Sequence, residues 1–178
     1  MTTSTATRAH VTIGSPIGPL TLVAEGGALA CIYMHDHRHA PDASAFGAAD
    51  PADGPQADVL ALTQRQLEEY FDGGRFEFDV PLHMPGTAFQ QRVWAGLREI
   101  PYGETISYGE LARRVGQPNA FRAVGLANGK NPVSIIVPCH RVIGASGRLT
   151  GYGGGLDRKQ VLLDLERKHA AGEQLTLG

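Results

Sequence analysis

ISYGELARRVGQPNAFRAVGLANGKNPVSIIVPCHRVI, residues 106 to 143, carries both the fold signal and the chemical signal of this chain. Ser107 and Glu110 stand at capping-box spacing, and Leu111, Ala112 and Val115 then recur on one helical face. GQP makes a short turn, and AFRAVGLAN begins a second helix. Two short helices joined by a tight turn containing glycine read as a helix-turn-helix. That corner serves DNA-binding domains and many other helical domains, so its purpose stays open at this point. The apolar run after it reads as a strand that ends in Pro138, Cys139, His140 and Arg141.

A neighbouring Cys-His pair is weak by itself, because adjacent side chains of an extended segment point to opposite sides. A buried thiol beside a surface histidine accounts for it equally well. The setting argues for more: Pro138 limits the local conformations, the strand delivers the thiol to its end, and Arg141 adds positive charge that favours a thiolate. An activated cysteine also needs a base oriented by a third group, and LLDLERK near the C-terminus supplies Glu166.

Upstream, TAFQ places Thr87 and Gln90 as another capping box before Phe89, Val93 and Leu97, and IPYGET closes that helix at Pro101 and Gly103. HVTIG, PLTLVA and ALACIYM, separated by the turns SPIG and EGG, predict a three-stranded antiparallel meander over residues 10–34. Residues 35–56 are rich in Ala, Asp, Pro and His without period and read as a mobile loop. ADVLALTQRQLEEYF, residues 57–71, sets Val59, Leu60, Leu67, Tyr70 and Phe71 near one helical face, and DGG ends the helix. FEFDVPLHMPG reads as a short strand followed by a linker. The expected class is α+β. Residues 1–85 form a small α/β domain with an antiparallel sheet; residues 86–178 form a mostly helical, winged-helix-like domain with the helix-turn-helix.

With 178 residues, 42% of them hydrophobic, the chain can bury a core in one domain or two small ones. No run reaches the roughly 18 apolar residues of a membrane span, and MTTSTATRAH lacks the apolar centre of a signal peptide, so a cytosolic protein is expected. Two cysteines are too few for a disulfide framework; Cys31, in LACIYM, reads as a buried small hydrophobe. Residues 1–85 hold four Lys and Arg against eleven Asp and Glu, a charge of −7, whereas residues 86–178 hold twelve against seven, a charge of +5. A basic C-terminal half suggests a polyanionic partner such as nucleic acid, though solvated helix faces explain the same charges.

PCHRVI, preceded by NPVSIIV and FRAVGLANG and followed by GRLTGYGGGLDRKQVLLDLE, resembles the O6-alkylguanine-DNA alkyltransferases, the methylated-DNA-protein-cysteine methyltransferases of DNA repair. SPIGPLTL is similar to the opening hairpin of that family's N-terminal domain. The resemblance implies a monomeric, cofactor-free protein that binds double-stranded DNA in the minor groove. It flips out O6-alkylguanine, or O4-methylthymine, and transfers the alkyl group irreversibly and stoichiometrically to a cysteine. Cys139 matches the nucleophile. His140 and Glu166 match the activating pair, with a water carrying the proton from Cys139 to His140. Asn131 matches a hinge asparagine, and equally suits an ordinary turn before Pro132. Tyr108 matches a tyrosine that crowds the target phosphate and donates to the flipped base; a core tyrosine is the other reading.

The resemblance also implies that Arg122 enters the duplex in place of the extruded base, with Phe121 and Ala123 beside it on the DNA-facing helix. Phe121 is large where the family often has a small residue, and reads either as core or as an apolar wedge in the groove. Val137, Pro138, Tyr152, Gly153 and Gly154 resemble the walls of the base pocket. Gly153 replaces a serine of some relatives, leaving the backbone N–H groups of Gly153 and Gly154 as donors. Relatives with a structural zinc place ligands where this chain has Glu25 and Ala30, so no metal is expected. His35, His37 and His39 alternate in a loop, which makes a poor structural site. Three rivals are a lesion-binding protein without chemistry, which would lack Cys139; a transcription regulator, which would prefer one operator; and a cysteine hydrolase, which would turn over repeatedly and ignore DNA.

Overall fold

The computed structural model describes residues 7–35 and 42–176. His37 and His39 lie outside the described residues. The chain divides into two compact units between Met84 and Pro85.

In the first unit, β1 (Arg8–Ile13), β2 (Leu20–Glu25) and β3 (Ala28–Met34) form the expected antiparallel meander, with Ile13 opposite Leu20 and Glu25 opposite Ala28. The EGG turn works because Gly26 and Gly27 both take positive φ, 60° and 80°, which a hairpin connection needs. Period-two alternation sets Leu20, Leu22, Ile32 and Met34 on one face and Val23, Cys31 and Tyr33 on the other. Cys31 is buried beside Val23 and Ala30, as the composition of LACIYM suggests. Helix α1 (Pro55–Phe71) packs on the sheet through Val59, Leu60, Leu67 and Tyr70.

The segment read as an irregular loop contains order. Residues Ala43–Phe46 form a 3-10 turn capped by Asp42, and β4 (Ala48–Ala49) pairs in parallel with β1, giving the order β3-β2-β1-β4. Phe46 explains this: its ring stacks on Tyr33 at 5.3 Å, so one aromatic anchors an otherwise featureless stretch. Residues 76–86 hold a single bridge between Leu29 and Leu82 in place of the expected short strand.

In the second unit, α2 (Ala88–Arg98) carries the full Thr87–Gln90 capping box, and its Trp94 Nε1 donates to the Ala127 carbonyl at 2.9 Å. Strand β5 (Ile106–Ser107) leads into α3 (Tyr108–Arg114), and a turn through Gly116 leads to α4 (Phe121–Gly129). These two helices are the helix-turn-helix of the sequence. The capping box at Ser107 is half formed: its hydroxyl accepts from the Glu110 N–H at 3.0 Å, but the Glu110 carboxylate binds Arg113 and Arg114 instead of reaching back. β5 pairs in parallel with β6 (Val142–Ile143), and α5 (Leu156–Thr176) follows.

Residues 133–138 are not the expected strand. They fold as successive turns, with Val137 N–H donating to the Val133 carbonyl and Ile135 at φ 75°. A β-branched residue in the left-handed region is strained, and the surrounding contacts must hold it there. Asn131 does so from inside the loop: its Oδ1 accepts from Val133 N–H at 3.0 Å, and its Nδ2 donates to the Val137 carbonyl at 2.8 Å. Cys139 therefore begins a short 3-10 turn, Cys139–Arg141, at the exit of a cross-braced loop.

Candidate active site

The β5–β6 ladder fixes the site, because Ile106 and Ser107 pair with Val142 and Ile143 and so set the start of α3 beside the turn that holds Cys139. Cys139, His140 and Arg141 are all buried. His140 Nε2 lies 2.6 Å from Glu166 Oε2 on α5. Arg141 grips the same carboxylate, donating through Nε to Oε1 at 2.8 Å and through Nη2 to Oε2 at 3.1 Å. Its Nη1 donates to the Ile100 carbonyl at 2.7 Å, and its guanidinium stands over the Tyr102 ring. The Gly103 N–H adds a bond to Glu166 Oε1 at 3.2 Å. Arg141 is thus the partner of Glu166, and it is not the cation that acts on the thiol.

Although burial alone pushes Glu166 up, hydrogen bonds and charge from His140 and Arg141 outweigh it and hold the carboxyl well below its ordinary value. An ionised Glu166 accepts, so His140 Nε2 carries the hydrogen and Nδ1 bears the lone pair. Nδ1 is buried with no protein partner, the atom left to take a proton. Burial holds His140 below its ordinary value, opposed by Glu166. Burial also raises the Cys139 thiol, against hydrogen bonds from Asn131 and Ser134 and the charge of Lys159. Burial therefore works against the thiolate that Arg141 is expected to favour, and Arg141 itself is turned to Glu166. Iodoacetamide labelling of Cys139 in the free native protein is expected to titrate above the ordinary thiol value of 9.0. A midpoint below that value would show that burial does not dominate.

Tyr108 opens α3; its hydroxyl donates to the Thr150 carbonyl at 3.0 Å, and its ring lies against Gly125 of α4. Gly151, at φ 57°, lies so close that a Cβ there would stand 3.2 Å from the Tyr108 hydroxyl. Val137 and Pro138 are buried immediately before the thiol. The Tyr152 hydroxyl is buried, and burial with Cys139 nearby pushes it well above its ordinary value. Gly153 and Gly154 follow, and the Gly154 carbonyl accepts from Arg158.

Arg122, Phe121 and Ala123 lie apart from this buried group, exposed at the start of α4. Phe121 is 53% exposed, which removes its core reading. Phe121→Ala is expected to melt within about 0.5 kcal/mol of the parent, as surface changes do, whereas a core phenylalanine costs roughly 3–5 kcal/mol. A loss of the second size in a denaturant titration would restore the core reading. Two residues escaped the sequence reading. Leu126 is 63% exposed on the same helix as Phe121, and Lys159 is fully buried on α5. Lys159 was legible in principle, since with Leu162, Leu163 and Glu166 it makes an i, i+3, i+4, i+7 stripe.

Among the described residues, no group of three or more His, Cys, Asp and Glu is placed to hold a metal ion, and no helix is long and apolar enough to cross a membrane. Glu25 instead pairs with Arg8 and His83.

Residues 88–168 match the DNA-binding domain of 6-O-methylguanine DNA methyltransferase, and residues 10–84 match its ribonuclease-like domain. The methylated-DNA–protein-cysteine methyltransferase of Mycobacterium tuberculosis is 54% identical over 166 residues, 93% of this chain and 96% of that protein. The protein of the same name from Methanosarcina acetivorans is 48% identical over 155 residues, 85% and 94% of the two chains. The fold superimposes on a crystal structure of M. tuberculosis OGT in complex with DNA with a TM-score of 0.81, at 52% identity, covering 90% of this chain and 94% of that one. A Cys-His-Glu site buried behind a helix-turn-helix, in a chain this similar along nearly its whole length, places the protein in the methylated-DNA–protein-cysteine methyltransferase family.

Proposed function

We propose that this chain repairs DNA by moving the alkyl group of O6-alkylguanine, and of O4-methylthymine, onto Cys139, once per molecule. The observation that carries this reading is the unpartnered Nδ1 of His140, the residue that follows Cys139, buried and backed by Glu166. The Cys139 proton passes to Nδ1 through a bridging water, and the imidazolium is stabilised by the carboxylate behind it. The S–C bond forms as the C–O6 bond breaks. The electron pair enters the purine, which leaves as guanine on taking up the proton. The N–H groups of Gly153 and Gly154, together with Tyr108, meet the charge developing on the base. Val137, Pro138 and Tyr152 wall the pocket, and Asn131 holds the loop that carries the thiol. No step calls for a metal or an organic cofactor.

Residues 86–178 bind DNA and carry out transfer, as a monomer before DNA is met. The exposed start of α4 suits the minor groove, whose sparse sequence information fits a protein that must inspect every site. Arg122 fills the stack vacated by the flipped nucleotide and offsets an unstacking cost of a few kcal/mol. Phe121 and Ala123 lie against the neighbouring step, Phe121 as the apolar wedge.

The test is a duplex carrying O6-methylguanine, followed by the intact mass of the protein and the stoichiometry of demethylation. One methyl per molecule, without turnover, is expected; repeated turnover or an unmodified protein would refute the reading. Arg122→Ala is expected to slow repair of the duplex by about tenfold or more, the rate equivalent of 1.4 kcal/mol, while reacting normally with free O6-benzylguanine, which needs no flipping. Equal slowing of both reactions would remove Arg122 from the extruding role.

A further inference from the structure

Lys159 is the one lysine among the described residues whose side chain is fully buried, and its environment is unusual. Its Nζ donates to the Val142 carbonyl at 2.6 Å and to the Thr150 carbonyl at 2.8 Å. Both acceptors are neutral, and none of its partners is a carboxylate. The buried carboxylate on its helix, Glu166, is engaged by His140 and Arg141. A buried cation without a counter-ion is costly, and the fold retains this one where its charge acts on a thiol that must become an anion to react. The two carbonyls are also informative. Val142 follows the Cys139–Arg141 turn directly, and the Thr150 carbonyl also accepts from Tyr108. One ammonium therefore ties the exit of the cysteine turn, the stretch leading to the pocket glycines and, through Thr150, the first helix of the helix-turn-helix.

We infer that Lys159 is a positioning residue of the transfer reaction: its buried ammonium is the counter-charge of the Cys139 thiolate and the tether that holds the two ends of the 142–150 loop against the site. The inference rests on the reading of Cys139 as the accepting nucleophile. The charged and titratable groups around it divide cleanly. Cys139 is the group whose negative charge favours a charged lysine; burial lowers His140 against the pull of Glu166, and repulsion from Arg141 and Lys159 adds to it. Tyr108 and Tyr152 are held as neutral phenols, and Glu166 is neutralised by Arg141 and His140. Burial lowers Lys159 to about 8, so the counter-charge is present at neutral pH and fades above it.

Three variants separate charge from tether. Lys159→Gln keeps donors for the carbonyls and loses the charge; Lys159→Arg keeps both; Lys159→Met loses both. Each is followed by its melting curve, by the pH profile of Cys139 labelling with iodoacetamide, and by its single-turnover rate with free O6-benzylguanine. The glutamine variant is expected to fold and, at pH 7 where the lysine is charged, to be labelled and to react about tenfold more slowly, the equivalent of one unit of thiol pKa. The arginine variant is expected to keep the parental rates at that pH. A glutamine variant with parental rates at pH 7 overturns the inference, and so does an arginine variant that slows as far as glutamine while melting normally. If none of the Lys159 variants folds, Cys139→Ser decides: Nζ of Lys159, followed by NMR with labelled lysine, is expected to titrate lower in it than in the parent, and an identical titration overturns the coupling. Labelling and lysine titration do not depend on alkyl transfer. A protein that shows the coupling but ignores O6-benzylguanine and methylated duplex alike would refute the repair reading and leave the Lys159–Cys139 pair standing.

Discussion

Mixed with a duplex carrying O6-methylguanine, the Cys139→Ala protein is expected to bind and to leave the methyl group on the base, whereas Cys31→Ala transfers it at the parental rate. The two thiols provide an internal comparison, since both are buried and burial raises both. What differs is the company each keeps. Cys31 sits in a sheet with Val23, Ala30 and Tyr33, and the charges that reach it are those of Arg8 and Glu25. Cys139 is followed by an imidazole backed by a carboxylate, with a buried ammonium nearby. If reactivity followed exposure or thiol chemistry in general, the two would be modified together. Methyl recovered on any residue other than Cys139, or transfer that survives Cys139→Ala, would sink the mechanism. The alkylated protein carries an added methyl group in a packed site, and overpacking costs roughly 1–3 kcal/mol. It is therefore expected to melt below the free form.

The parts of the fold that could be read from the sequence are those fixed by local chemistry. EGG demands a tight reversal, Thr87 with Gln90 caps a helix, and the period of Val59, Leu60, Leu67 and Tyr70 marks a buried helical face. None of these depends on a distant residue. The apolar run before Pro138 failed as a strand for the complementary reason. Its conformation is set by the Asn131 side chain bridging Val133 and Val137, and a left-handed isoleucine is what propensity alone argues against.

The same logic separates the site residues. Cys139, His140 and Glu166 belong to one buried site, but Arg141, two residues from the thiol in sequence, is turned by the fold to Glu166. A lysine between polar neighbours reads as solvated, although the spacing of Lys159 from Leu162 and Glu166 places it on the buried stripe. Phe121 lines up with Val124 and Asn128 at helical spacing, which supports a core role. It stands at the first residue of α4, however, and helical side chains lean toward the N-terminus, so its ring projects beyond the packed turn.

Glu166→Gln is expected to be the most destabilising single change in the site. The carboxylate accepts from His140, from two nitrogens of Arg141 and from the Gly103 N–H, all within a region that excludes water. Glutamine keeps the shape, but it removes the charge and puts donors where acceptors are needed. Arg141 is then a buried cation without a counter-charge, answered by the Ile100 carbonyl, the Tyr102 ring and at most the one amide oxygen. Removing one partner of a buried ion pair costs roughly 3–5 kcal/mol, or about 10 °C of melting temperature in a chain of this size. The pH dependence carries the same signature. Because Glu166 is held below its ordinary value of 4.5, its contribution is complete above that range and is lost as pH falls from there. His140, kept neutral below its ordinary 6.5, acts in the same direction, since the unfolded chain takes up a proton that the folded one refuses. The parent is therefore expected to weaken steadily below about pH 6.5, and Glu166→Gln to lack the steeper fall that begins near the carboxylate range. A double variant decides whether the loss is the stranded charge. With Arg141→Met added, the buried cation is gone and an apolar side chain takes its volume, so the double variant should melt above Glu166→Gln alone despite carrying one more substitution. Losses that simply add would show that Arg141 and Glu166 act independently. The ion pair would then not be what holds His140 Nε2 to the carboxylate and leaves Nδ1 as the base.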